Sequence, residues 1–498
     1  TGLATANVGT NNLGGNLLLN YTNKKINAFV SVDFSRRNFT GESYVDRLLM
    51  YPDTTAEFIS DGIRSRSRGG YGIRAGLDWF ISKNDVIGIS ARFGPRASEG
   101  SSITAYEIIY SNPARDIIYD SYDYTSYENS IRGGSRYSIN ADYTHKFNTN
   151  TNDKKAASAA TNKARSVKDV MNGSTRVHQL KLSASYSNWN MDEESYTYLV
   201  DAFSDTTEGQ KTEEIGPSNS IRTKLEYQLP WGESNMFEAG FNGKFNWKED
   251  ANNVYYLNTV SGDFEQQDAF SYFTEYKQNT LSLYALYSGE FGLLGIQPGL
   301  RAEYTYRNIN SNAQDSAFVI DRLHIFPTLH ASYQLPEDIQ LMASYTRRIS
   351  RPRGWQLEPF YTWWDAYNIR VGNPSLVPEM TDSYDFSVQK RFGKSFVSLD
   401  AYYKNTQNKI ERIQTVYSED VILNTYENVG RDQSLGVEIM ANLNIYKWWM
   451  MNFSGRLYYY QVEGTLYGES FDASSLNYSM RLRNTFMIKE NTRIQVGL

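Results

Sequence analysis

The twelve residues IQPGLRAEYTYR, numbered 296–307, alternate without a break. Pro298, Leu300, Ala302, Tyr304 and Tyr306 fall on one side of an extended chain. Gln297, Gly299, Arg301, Glu303, Thr305 and Arg307 fall on the other. Side chains of a β-strand point to opposite faces with period two, so this stretch reads as a strand with one apolar and one polar face. A helix would need apolar residues three or four apart, and they are not there. The neighbouring stretch repeats the rhythm. Leu323, Ile325, Pro327, Leu329, Ala331 and Tyr333 oppose His324, Thr328, His330, Ser332 and Gln334.

The same alternation recurs along the whole chain. Ile87, Ile89, Ala91 and Phe93 oppose Gly88, Ser90 and Arg92, and Met451, Phe453, Leu457 and Tyr459 oppose Asn452, Ser454 and Arg456. Roughly nineteen such segments are expected. They centre near 2–9, 14–22, 25–36, 69–82, 84–94, 133–147, 176–189, 218–230, 234–248 and 277–290, then 294–308, 322–335, 338–349, 379–391, 395–406, 430–445, 447–462, 475–489 and 492–498. Many exceed the roughly 9–11 residues that take a tilted strand across a bilayer.

The connections between segments alternate in length. Asn23-Lys24, Ser82–Asp85, Pro230–Ser234, Leu335–Asp338, Arg391–Lys394, Tyr446-Lys447 and Lys489–Asn491 are short; 37–68, 95–132, 190–217, 249–276, 350–378 and 407–429 are long. An up-and-down transmembrane barrel sorts its connections this way, with tight periplasmic turns and long extracellular loops. A soluble β-sandwich has no reason to. The fold expected is therefore all-β: a large up-and-down antiparallel transmembrane β-barrel occupying residues 1–498. Residues 148–175 break the parity, being long and polar on the short-turn side, and are expected to form a periplasmic insertion.

Composition is compatible with this reading but does not select it. The chain has 498 residues, 40% of them hydrophobic, and a mean hydropathy of -0.56, and no apolar run is long enough for a transmembrane helix. A barrel escapes that test because only alternate residues meet lipid. The 39 Tyr, 24 Phe and 9 Trp suit aromatic girdles at the headgroup level, and equally a large soluble β-protein. Cysteine is absent and only four His are present, which leaves neither disulfides nor thiolate metal sites. The net charge of -6 speaks against nucleic acid as the main partner. With no initiator Met or signal peptide, and a last strand ending at Gly497-Leu498, the chain is expected to be truncated at both ends.

Ser344–Phe386 reads SYTRRISRPRGWQLEPFYTWWDAYNIRVGNPSLVPEMTDSYDF. Pro352, Pro359, Pro374 and Pro378 cannot donate ladder hydrogen bonds, and Gly372-Asn373 suits a turn, so the block ends one strand and stiffens a loop before the next. It resembles the barrel of TonB-dependent receptors, especially the Bacteroidota outer-membrane β-barrel receptor family. That family carries an S-Y-[ST]-R-R-I-x-R-P strand end and a later G-N-P-x-L-x-P-E element. Ser344, Tyr345, Arg347, Arg348, Ile349, Arg351 and Pro352 match the first; Gly372, Asn373, Pro374, Leu376, Pro378 and Glu379 match the second. Glu358 stands where the family usually has Asn. The resemblance implies a bacterial outer-membrane, multi-pass location and a barrel of about 22 strands, with a plug domain before residue 1. It also implies energised uptake of a scarce nutrient, driven through the plug by the inner-membrane TonB complex. Partners would be outer-membrane lipid and a surface lipoprotein.

Two groups of side chains are candidates for contacting a ligand. Arg347, Arg348, Arg351, Arg353, Trp355, Trp363, Trp364 and Arg370 could line a substrate entrance for anionic or ring-bearing molecules; alternatively the block simply folds the extracellular rim. Tyr119, Tyr122, Tyr124 and Tyr127, interleaved with acidic residues in the segment 95–132, could stack on a sugar or peptide, or pack a loop. Arg64, Arg66 and Arg68 read as a rim facing anionic lipid. His324 and His330 share a face but stand roughly 20 Å apart at the strand rise of about 3.4 Å per residue, too far for one metal. No catalytic residues, metal site or cofactor are expected. A structural or secretion-machine component built on a similar barrel is the alternative to uptake; an outer-membrane enzyme is disfavoured by the many strands and the lack of a Ser/His/Asp cluster.

Overall fold

The computed structural model describes residues 1–147, 177–203, 205–232, 234–313, 317–365, 368–418, 421–466, 468–489 and 492–497. The expected insertion at 148–175 lies outside them. Among the described residues, twenty-three strands form one sheet that runs from Gly2–Val8 to Thr492–Gly497. Setting aside four short strands, Thr206–Ile215, Phe264–Gln266, Tyr361–Asp365 and Asn368–Val371, leaves nineteen that each pair antiparallel with the next in an up-and-down order. Those nineteen coincide with the alternating segments, because the period-two pattern is what a wall with lipid on one side and water on the other requires.

The two faces are sorted as the alternation demands. Leu300, Ile325, Leu329, Phe386 and Leu399 all leave apolar side chains exposed on the outer face. Paired residues of an antiparallel ladder share a face, so the register Glu303↔His324 and Glu303↔Ser282 carries polar groups around the inner wall. The lumen is therefore lined by the polar, charged half of the pattern, and the membrane by the apolar half.

Three of the expected long loops are not loops. Ile26–Met50 and Thr55–Phe80 stay in register from Ile26↔Trp79 to Met50↔Thr55, so 37–68 is a strand hairpin with only 51–54 as its turn. Asp85–Ser111 and Ile118–Lys146 likewise absorb 95–132. Gln179–Asp201 and Thr206–Ile215 absorb most of 190–217. Parts of 249–276 and 407–429 are also strand. The physical reason is that ladder hydrogen bonds are made by backbone and continue above the membrane, where both faces meet water and nothing enforces alternation. At the tips Ala56, Phe58 and Ile108 form a small core with Leu49, Tyr106 and Tyr124 packed against it.

Candidate functional site: the lumen and its outer mouth

The Ser344–Phe386 block folds inward, across the outer end of the lumen. Residues 351–378 leave the strand Ile339–Ser350 and return to Glu379–Phe392. On the way Leu357 and Leu376, both almost fully buried, pack with Ile309 and Tyr426, and Trp355 lies against that cluster. Gly372 is required where it stands: a Cβ there would lie 2.6 Å from both the nitrogen and the oxygen of Glu358. Asn373 donates through Nδ2 to the Tyr426 carbonyl at 3.0 Å, and its Oδ1 accepts from the Ser375 amide at 3.0 Å. Asn428 accepts from the Val377 amide at 2.9 Å and donates to the Val377 carbonyl at 3.0 Å. The short strand Asn368–Val371 adds in parallel to Ile422–Tyr446.

Charged groups pin this segment to the inner wall. Glu303, only 2% exposed, takes Arg301 Nη2 at 2.6 Å and is ion-paired with Arg351; Arg351 also donates to Thr305 Oγ1 at 3.2 Å. Arg307 donates to the Pro374 and Leu376 carbonyls at 3.3 and 3.0 Å. Glu358 receives Lys248 and Arg370, each at 3.3 Å. Arg47 Nη2 reaches Asn368 Oδ1 at 3.4 Å from the opposite stretch of wall. Buried charges are costly unless paired or hydrogen-bonded: Glu303, Glu358, Arg351 and Arg370 meet opposite charges, and Arg307 rests on two backbone carbonyls.

The eight entrance candidates thus have different surroundings. Arg351 and Arg370 are held on carboxylates within the lumen, and the Arg370 guanidinium lies 5.7 Å from the Trp355 ring centre. Trp355 packs edge-on against Tyr426 at 5.1 Å. Arg347 pairs with Asp382 at 3.1 Å on the outer face, where Tyr345 also donates to that carboxylate. Arg348 and Arg353 are exposed, and Trp363 sits in the strand Tyr361–Asp365. The side chain of Trp364 lies outside the described residues.

The four tyrosines do not share one surface. Tyr122 and Tyr124 lie on the face of Phe58 and Ile108, with Tyr106 stacked on Tyr124 at 5.6 Å and Tyr110 edge-on to Tyr122 at 6.2 Å. Tyr127 pairs with Ile103 on the other face, and Tyr119 is exposed near the tip. All four belong to the strand Ile118–Lys146 rather than to a loop. Arg66 and Arg68 do not face lipid either: Arg68 stands opposite Arg37, and Arg66 opposite Phe39, on the inner face. By sequence alone these residues fall in expected loops, so neither the strands nor their lumen-facing side was legible there.

A cluster that composition does not reveal sits at the same mouth. Lys248 is ion-paired with Asp250 as well as Glu358, and Glu214 extends from the adjoining strand on the same face. Burial, reinforced by Asp250 and Glu358, raises Glu214 to about 7. Burial also raises Asp250 to about 6, against the pull of Lys248. Burial works against the Lys248 ammonium, but Glu358 and Asp250 outweigh it and hold its pKa above the ordinary value. Three segments distant in sequence supply these groups, so no local motif marks them.

The described geometry has counterparts among known proteins. A model of the outer membrane protein beta-barrel family matches residues 172–498, more than half of the chain. No curated protein sequence matches the chain. Among solved structures, the siderophore receptor PiuA from Acinetobacter baumannii superimposes over 100% of this chain and 70% of its own length, at a TM-score of 0.57 and 11% identity. The copper transporter OprC matches 100% of this chain and 76% of its own, at 0.54 and 11% identity. A double mutant of the Serratia marcescens hemophore receptor HasR, in complex with its hemophore HasA and heme, gives 0.50 at 11% identity, over 100% of this chain and 76% of that one. At such identities the likeness is one of fold.

Proposed function

The chain belongs to the outer membrane protein beta-barrel family, and from that premise we propose that it forms the wall of a TonB-dependent-type receptor that takes up a scarce nutrient through a plugged barrel. On the Ser344–Phe386 block we assign it to the Bacteroidota branch of such receptors. The observation that carries the reading is the inward-folded segment 351–378, which narrows the outer mouth and is pinned to the polar wall through Glu303, Glu358, Arg307 and Arg47. A passive channel gains nothing from a mouth narrowed by buried ion pairs. A receptor does, because a rigid, shaped mouth holds a ligand while a gate is worked from the far side. Arg348 and Arg353, exposed at this mouth, would meet the ligand first, and a surface lipoprotein would cover it.

The test is physiological. Deleting the gene in its host should slow growth only when one nutrient is limiting, among glycan, peptide, siderophore-bound iron and cobalamin. Uptake of that nutrient should stop when a protonophore collapses the inner-membrane gradient. Normal growth under every limitation, with loss of a secreted or surface-assembled protein, would overturn uptake in favour of a secretion or structural role.

A further inference from the structure

Four neighbouring strands, Ile26–Met50, Thr55–Phe80, Asp85–Ser111 and Ile118–Lys146, place an unusual number of guanidiniums on the inner wall. The ladders set Arg37 directly opposite Arg68, and Arg74 directly opposite Arg92. Like charges directly opposed across a ladder destabilise it, so sheet stability does not account for either pair. Arg96 and Arg136 join the same face through Gly70↔Arg96 and Gly94↔Arg136. Between them the inner face is cleared by Gly70, Gly72 and Gly94. At Gly70 an added Cβ would lie 2.7 Å from the Pro95 carbonyl oxygen, so the floor admits no larger residue without moving. All of these arginines except Arg74 line a cavity of about 870 Å³, whose one lining carboxylate among the described residues is Asp33.

The contrast with the mouth is direct. Arg301, Arg351 and Arg370 each rest on a carboxylate. Within this cavity Arg132 is answered by Glu193 at 3.2 Å. Among the described residues, no carboxylate comes within ion-pair distance of Arg37, Arg68, Arg74, Arg92, Arg96 or Arg136. Trp189 adds a flat apolar surface, with the Arg136 guanidinium 5.8 Å from its ring centre. Guanidinium forks are matched to phosphate and carboxylate oxygens. Lipid phosphates cannot be the partner, because Phe34, Ile73 and Phe93 hold the lipid-facing side of these same strands.

We propose that this arginine-lined cavity binds a soluble polyanion, a molecule carrying several phosphate, carboxylate or sulfate groups, which supplies the negative charge that the wall itself omits. Binding is an equilibrium property and does not rest on energised uptake.

Full-length protein in an uncharged detergent would be titrated calorimetrically with inorganic tripolyphosphate, with uncharged maltotriose as the control. The expected result is saturable binding of tripolyphosphate alone, weakening steadily as salt is raised. Arg68→Gln with Arg96→Gln should weaken it at least tenfold, whereas Arg68→Lys with Arg96→Lys should retain most of it. Heat-modifiable mobility in electrophoresis confirms that each variant is folded; if the double Gln variant is not, Arg92→Gln takes its place in the same titration. No saturable binding by the parent protein, as when an acidic chain segment already fills the cavity, would overturn the proposal. So would equal affinity in the folded Gln variant. Failure of the growth test with tripolyphosphate still bound would remove the uptake reading alone.

Discussion

Leu300 and Arg301 are chain neighbours in opposite surroundings. Leu300 is 54% exposed and sits six residues from the turn end of Leu294–Ser311, near the middle of the expected span. Arg301 points inward and bonds Glu303. A cation on the lipid face near the bilayer midplane costs about 2–4 kcal/mol, so Leu300→Arg should lower stability in phosphocholine vesicles by that amount, read from urea unfolding. Arg301→Lys, which keeps a cation in the lumen, should cost well under it. Equal losses would contradict the face assignment. This distinction was readable from residues 296–307 alone, because nothing but period-two geometry enters it. The second partner of Glu303 was not readable, since Arg351 arrives from the segment that follows a different strand.

The extracellular ladders are a different kind of element. The strand Thr206–Ile215 pairs with Gln179–Asp201 and Asn235–Leu257, and it brings Glu214 into the cluster around Asp250 and Lys248. Glu214 holds its proton up to about 7, above the ordinary carboxylate range, chiefly through burial. A carboxyl raised in the folded state makes that state bind more protons than the unfolded one, so stability falls as pH rises. The contribution should be full below about 4.5, the ordinary glutamate value, and gone once pH passes about 7. Protection of 206–215 against hydrogen exchange, taken relative to the intrinsic amide rate at each pH, should therefore be greater at pH 5 than at pH 8, by an opening energy on the order of 1–3 kcal/mol. Glu214→Gln should flatten the dependence; an unchanged profile would show that the proton sits elsewhere. The sequence marked this region as a loop because alternation stops there. Its strands were hidden by the very absence of a lipid face.

For the molecule as a whole, the closure of the wall across 148–175 is decided at its feet. The Phe147 amide donates to the His178 carbonyl at 2.9 Å, and Lys146 pairs with Gln179. The two rings stack at 4.1 Å, and His178 bonds the Tyr227 hydroxyl at 3.0 Å on the next strand. The ladder thus reaches the base of the connection from both sides. Deleting 153–170 should leave assembly intact, giving the same heat-modifiable electrophoretic band as the parent, with stability changed by less than about 1 kcal/mol because the cost of closing a connection varies only slowly with its length. Loss of the folded band would assign the segment a structural part.

Period-two patterning and connection lengths were enough, by themselves, to specify an all-β wall of nineteen meandering strands, its polar and apolar faces, and the strand ends around Ser344–Phe386. Those are local properties, set by residues two apart and by turns between neighbours. Only the tertiary structure decided that 351–378 folds inward, that Arg351 meets Glu303, and that Glu214, Asp250, Lys248 and Glu358 share one pocket. It also decided that arginines spread from Arg37 to Arg136 face one cavity. Coulomb and desolvation energies depend on distance in space, and the curvature of the sheet sets that distance. No spacing along the chain encodes it.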